Sequence, residues 1–202
     1  TKTKYPGIVS VVVFIVLAAG VAWSQGEVNM PLGGTSGVEG LTPVPIGGLK
    51  VKAEVVAGAD GDRTALKVSF DKPGEERRFL ALERPLKGMP TGTKAVAIRY
   101  RLKIEGAEAV RPALVVFEKG GGVWYKVAAP VEPSPEFTDG RLSVASLAQA
   151  AFSQDASGQI EWDNLDKVWL GLIIDGAAKG TFELSDARLT SEPYKPTQPL
   201  RV

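Results

Sequence analysis

The chain of 202 residues carries 24 Lys and Arg against 23 Asp and Glu, is 44% hydrophobic and 23% charged, and contains neither cysteine nor histidine. The balanced charge, with no basic run interleaved with aromatics, argues against nucleic-acid binding. Without Cys or His there is no disulfide, thiolate metal site, covalent haem, Cys nucleophile, lipid-anchor cysteine or Ser-His-Asp triad, and a hard cation held by oxygens is the metal chemistry left open.

From Tyr5 to Gly26 no residue is charged, and Ile8 to Trp23 is nearly all apolar; Lys2 and Lys4 precede the run and Glu27 follows it. A cleaved secretory signal with Ala22-Trp23-Ser24 as its cleavage site is one reading. The favoured one is a retained transmembrane helix over residues 1–25. Tyr5 and Trp23 are 18 residues apart, about 27 Å along a helix, so their rings would sit at the two interfaces with Phe14 between them. The two lysines then place the N-terminus in the cytoplasm of a bacterium and the rest beyond its inner membrane, in the periplasm or outside the cell.

Residues 26–48 contain seven glycines and three prolines and no periodic pattern, which predicts a Gly/Pro-rich linker, free or laid along a partner. From 49 to 190 the signal is alternation. Leu49, Val51, Ala53 and Val55 form one period-two set, and Leu66, Val68 and Phe70 a second. Val96, Ile98, Tyr100, Leu102 and Ile104 form a third. Ala113 to Glu118 reads as an apolar strand, Gly120-Gly121-Gly122 as a turn, and Val123 to Ala128 as the returning hairpin partner. Val168, Leu170, Leu172 and Ile174 follow, then a last strand over Phe182 to Leu189 with a bulge near Asp186. Leu142 to Phe152 alone reads helical. The tail from 191 to 202 has Pro193, Pro196 and Pro199 at spacing three and reads as a polyproline-like segment, a frayed tail or else an extended arm docked on a partner. The expected fold class is therefore all-β, a jelly-roll β-sandwich of antiparallel strands preceded by a single transmembrane α-helix. There is no βαβ rhythm and no Gly-rich phosphate loop.

The order of four stretches resembles the galactose-binding-like jelly rolls, a superfamily that includes many carbohydrate-binding modules. Gly61-Asp62-Arg63-Thr64-Ala65-Leu66-Lys67-Val68 is similar to its early strand and Ala95–Leu102 to its central arginine-bearing strand. Glu161-Trp162-Asp163-Asn164-Leu165-Asp166-Lys167-Val168 is similar to its approach to a buried strand. Gly180-Thr181-Phe182-Glu183-Leu184-Ser185-Asp186-Ala187-Arg188-Leu189 is similar to its closing strand. The resemblance implies the fold, and a sugar site built from aromatic faces on one sheet.

Tyr100 has core parity. Of Trp124 and Tyr125 one must point outward, and Trp124 is placed with the surface candidates. Trp169 and Ile173 are opposite in parity to Val168, Leu170 and Leu172, which makes their face a ligand platform, a protein-docking patch or a surface covered by a loop. Arg99, Arg101 and Lys103 make the open face of their strand cationic, either as a solvated surface or as a dock for an acidic partner or lipid headgroups. Asp60, Asp62 and Asp186 are candidate oxygen donors for a structural Ca²⁺, with plain turn formation as the alternative, and no other cofactor is expected. Glu161, Asp163, Asp166 and Asp175 do not form a pair across a cleft, so no glycosidase is expected.

Two functions fit. The first is a non-catalytic, membrane-anchored accessory subunit stabilising a larger integral membrane protein complex, respiratory or photosynthetic in kind. Its helix sits in lipid and its sandwich lies on the extracytoplasmic side. The second is a membrane-tethered carbohydrate-binding module with a glycan partner. Exposed coplanar aromatics would favour the second. A flat patch of Trp169, Ile173 and arginines would favour the first.

Overall fold

A computed structural model describes residues 27–35, 37–44, 46–58 and 64–192. The expected anchor with Tyr5, Phe14 and Trp23, the acidic pair Asp60 and Asp62, and the tail from Pro193 lie outside the described residues. Among the described residues no helix is long and apolar enough to cross a membrane.

The described chain folds as strands β1 (Asn29–Pro31), β2 (Thr42–Val44), β3 (Lys50–Ala57), β4 (Thr64–Lys72), β5 (Arg78–Pro85), β6 (Ala95–Glu105), β7 (Ala109–Glu118), β8 (Val123–Val127), β9 (Ser134–Ser143), β10 (Ala148–Gln149), β11 (Leu165–Asp175) and β12 (Ala178–Thr190), with one 3₁₀ turn at Trp162–Asn164. They form two six-stranded antiparallel sheets. The first runs β3-β4-β12-β6-β9, with β1 also on β12, and the second runs β10-β8-β7-β11-β5-β2.

The alternation read from the sequence is what closes the sandwich. Val68 and Phe70 of β4, Ile98, Tyr100 and Leu102 of β6, and Phe182, Leu184 and Leu189 of β12 face inward from the first sheet. Leu80 and Leu82 of β5, Leu114 and Val116 of β7, and Val168, Leu170, Leu172 and Ile174 of β11 meet them from the second. Tyr100 packs on Phe182 with ring centroids 6.3 Å apart, and burial pushes its phenol above the ordinary value. The bulge expected near Asp186 is present as a register shift between Leu184 and Asp186 against β6.

Two expectations change, and one strand is added that the alternation does not show. The Gly/Pro-rich stretch is part of the sandwich: β1 pairs with β12 and β2 with β5, while Leu32, Val38 and Leu41 are buried in the core. Single apolar residues spaced by glycine give no period, so the sequence hides them. Leu142–Phe152 is not a helix. Leu142 pairs with Val96 at the end of β9, and Ala148–Gln149 pair with Tyr125 and Trp124. Edge pairing here overrides a modest local helix preference. Finally, Arg78–Pro85 is a central strand of the second sheet. Its apolar residues Leu80, Ala81 and Leu82 are consecutive and all buried, so it lacks the alternation of a half-buried strand.

Lys72 ends β4 at 2% exposure. Its ammonium donates to the carbonyl of Gly74 at 2.5 Å and to that of Gly176, so backbone dipoles solvate the charge and tie two turns together.

Candidate functional site: an aromatic face on the second sheet

The outward positions of the second sheet bring aromatics from four neighbouring strands together. Trp169 on β11 lies opposite Glu83 of β5 and Val115 of β7. Phe79 lies opposite Ile173, Phe117 opposite Lys167, and Tyr125 opposite Val115. Between Trp169 and Ile173 the outward position is Gly171, flanked by Ala81 and Ala113. That small-residue row leaves room for large rings to lean over it. The Trp169 ring lies 4.6 Å from Phe117 and 6.3 Å from Phe79, tilted by 60° and 53°.

The segment after β10 walls this face beyond β8. Phe79, Phe117, Tyr125, Phe152, Trp169 and Ile173 line a groove of about 440 Å³. Tyr125 and Phe152 are 40% and 74% exposed, so two aromatic side chains stand in water beside a half-buried cluster. An exposed phenylalanine flanking an apolar groove marks a contact surface more than a packing accident.

Polar groups lie at both ends. At one, the Trp169 indole donates to Glu83 Oε2 at 2.7 Å, and Lys167 Nζ reaches the same oxygen at 2.9 Å. Lys167 also lies 5.4 Å from the centroid of Phe117 and 5.7 Å from that of Trp169. The Lys167 ammonium, then the Trp169 N–H, hold the Glu83 carboxyl below its ordinary value. At the other end, Asp175 accepts from Arg77 Nε at 2.5 Å and from Arg111, and Arg77 first, then Arg111, lower its pKa. Glu83, opposite Trp169, and Asp175 are separated along β11 by the six residue steps from Trp169 to Asp175, about 20 Å of extended chain. That is too far for a catalytic carboxylate pair across one glycosidic bond.

The structure divides the other site candidates. Trp169 and Ile173 share the groove. Trp124 does not: it is 5% exposed, faces inward with Val116, and donates its indole N–H to Glu118 Oε2 at 3.0 Å. Tyr125 takes the outward place instead. Parity alone left that pair open; the buried carboxylate of Glu118 decides it.

Arg99, Arg101 and Lys103 lie on β6 in the first sheet, away from the groove. Arg101 donates to Glu183 at 2.9 and 2.6 Å and stands 4.7 Å from the centroid of Phe137. On the same sheet Glu54 pairs with Lys67 and Lys52. The expected cationic stripe is therefore interrupted by acids: Glu183 of β12 stands against Arg101 of β6, and on the same sheet Glu54 of β3 against Lys67 of β4.

Asp186 sits in the β12 bulge with Oδ2 on Arg188 Nε at 2.7 Å. Among the described residues no group of three or more acidic side chains could hold a metal ion; Asp60 and Asp62, the other calcium candidates, lie outside them.

Phe79 and Phe152 carry no site reading in the sequence, and of the Trp124-Tyr125 pair the surface place goes there to Trp124. For Tyr125 the signal was the Trp-Tyr dipeptide. For Phe79 it was an aromatic one residue before a buried apolar run.

No protein-family model and no curated protein matches the chain. Among solved structures it is similar to the family 11 carbohydrate-binding module from Clostridium thermocellum in complex with a β-1,3-1,4-mixed-linked tetrasaccharide: TM-score 0.59, 16% identity, 83% of this chain and 98% of that one. The solution structure of CtCBM11 gives TM-score 0.59 at 17% identity over 86% and 99% of the two chains. The family 11 module of the C. thermocellum cellulosomal cellulase Lic26A-Cel5E gives 0.52 at 16% over 75% and 87%. At such identity the likeness shows the fold: the described chain is an antiparallel two-sheet β-sandwich of the jelly-roll kind seen in these carbohydrate-binding modules.

Proposed function

We propose that this chain is a non-catalytic glycan-binding module whose ligand lies in the groove on the second sheet. The observation that carries the reading is the row of aromatics from β5, β11, β7 and β8, completed by the exposed Phe152. The C–H edges of sugar rings pack on negative aromatic faces, and Lys167, Glu83, Arg77 and Arg111 stand at the ends to meet hydroxyls. The rings are tilted rather than coplanar, which suits a twisted or kinked chain better than a flat crystalline surface. The fold likeness supports the same reading.

The accessory-subunit alternative draws less support. The stretch meant to run along a partner is folded into the sandwich, and the cationic patch meant to dock lies on the other sheet, with Arg101 paired to Glu183. Placement beyond a membrane, if residues 5–25 anchor the chain, would put the module where polysaccharides occur.

The test is calorimetric titration of the 202-residue chain, in mild detergent, with mixed-linkage gluco-, xylo- and manno-oligosaccharides. At least one series should bind, and Tyr125→Ala and Phe152→Ala should each weaken it tenfold or more while leaving thermal stability unchanged. Unaltered affinity in both exposed-ring variants would overturn the site. Absence of binding in all series, with co-migration in a large membrane complex, would restore the subunit reading.

A further inference from the structure

A second cavity, of about 490 Å³, opens where the edge of the first sheet parts from the second. That volume lies in the usual range for ligand pockets. Three cations from separate elements line it: Lys94 before β6, Lys126 on β8 and Arg141 on β9, with the hydroxyl residues Ser143 and Ser146 beside them. Among the described residues no carboxylate lines it. The Arg141 guanidinium is paired with Glu192, so three positive charges against one negative leave an excess of two.

Its walls are fixed by backbone. Lys94 N–H donates to the Thr190 carbonyl at 2.8 Å, Val144 N–H to the Lys94 carbonyl at 3.0 Å, and Ala128 N–H to the Pro112 carbonyl at 2.8 Å. Ser143 Oγ accepts the Ala145 N–H at 3.3 Å, which leaves its own proton to donate. Cations from three elements and a hydroxyl donor lining one backbone-fixed cleft suit an oxyanion.

Lys126 and Val127 line both this cleft and the aromatic groove. The two sites are contiguous across the β8 strand. From that continuity we infer that the glycan taken by the groove is an acidic one, whose carboxylate or sulfate substituent enters the Lys94–Lys126–Arg141 cleft. This inference rests on the glycan reading above, which itself requires no charge on the ligand.

The experiment compares a mixed-linkage gluco-oligosaccharide with the same oligosaccharide oxidised at C6 to carboxylates, titrated into the 202-residue chain. The oxidised form should bind about tenfold tighter at low salt, with the advantage shrinking at 0.5 M NaCl as surface charges are screened. The double variant Lys94→Gln/Arg141→Gln, at residues that line the cleft and not the groove, should lose that advantage and keep the affinity for the neutral form. Equal or weaker binding of the oxidised form, with neutral binding still sensitive to Tyr125→Ala, overturns this inference alone. Binding of neither form overturns both readings. Saturable binding of inorganic sulfate that the double variant abolishes, with no gain from oxidising the sugar, would assign the cleft to a free anion and overturn the glycan source.

Discussion

Glu118 offers a stringent test of the assignment of Trp124 to the interior. Its carboxylate is 7% exposed and accepts two N–H groups, from the Trp124 indole at 3.0 Å and from the Glu161 backbone. In Glu118→Gln one acceptor becomes an NH₂ facing a donor. One hydrogen bond is lost with a buried donor left unpaired, about 1–3 kcal/mol, and the other falls from charge-assisted to neutral strength, about 1 kcal/mol more. The expected loss is about 3 kcal/mol. Trp124→Phe keeps a ring and removes one donor, which should cost about 1–2 kcal/mol including the smaller ring. In the double variant the amide has room to turn its NH₂ where the indole N–H was and keep its oxygen on Glu161. The pair should therefore be less damaging than the sum of the singles, with a coupling of about 1 kcal/mol or more. Urea unfolding followed by far-UV circular dichroism measures all four corners of the cycle. Additive effects, or a Glu118→Gln loss below about 1 kcal/mol, would refute the buried-network argument. Glycan affinity of Trp124→Phe should equal that of the parent; a tenfold loss would return Trp124 to the ligand surface.

Three further outcomes follow from the geometry. The Glu83 carboxyl is held below its ordinary value of 4.5 by Lys167 and the Trp169 indole. Its contribution is thus complete above about pH 4.5 and is lost as the pH falls through the lowered folded value. The Trp169 indole N–H resonance should stay fixed above that point and shift below it, while Glu83→Gln should give a flat profile; a midpoint above 4.5 would contradict the assignment. Gly171→Ala would drive its Cβ into the Leu80 carbonyl beneath the groove. It should destabilise by about 1–3 kcal/mol and weaken glycan binding by displacing Trp169; a neutral effect on melting would show that β5 yields. Lys72→Ala leaves the Gly74 and Gly176 carbonyls without their buried donor and should cost about 2–3 kcal/mol, read as a lowered urea midpoint at unchanged slope.

What the sequence shows of this molecule follows from which physics is periodic. Strands with one face in the core and one in water write their parity into the chain, so β3, β4, β6, β11 and β12 are legible, and so is the outward placement of Trp169 and Ile173. Two kinds of element escape. β5 is covered on both faces, inward by the core and outward by the leaning rings of Phe79 and Trp169, so its Leu80-Ala81-Leu82 run carries no parity to read. The stretch through β1 and β2 buries Leu32, Val38 and Leu41 singly among glycines, and its three-residue strands are too short for a period. The site is harder to read than the fold because it is a cross-strand object. Phe79, Trp169, Phe117 and Tyr125 lie far apart in sequence and meet only through the β5-β11-β7-β8 register. Charge is misread for the same reason. Arg99, Arg101 and Lys103 look like an unopposed cationic stripe along one strand, but the neighbour that neutralises Arg101 is Glu183, 82 residues away. Lys94, Lys126 and Arg141 look like scattered surface charges and yet share one cleft. A single strand reports its own two faces, whereas the electrostatics of a sheet depend on strand order, which only the folded structure supplies.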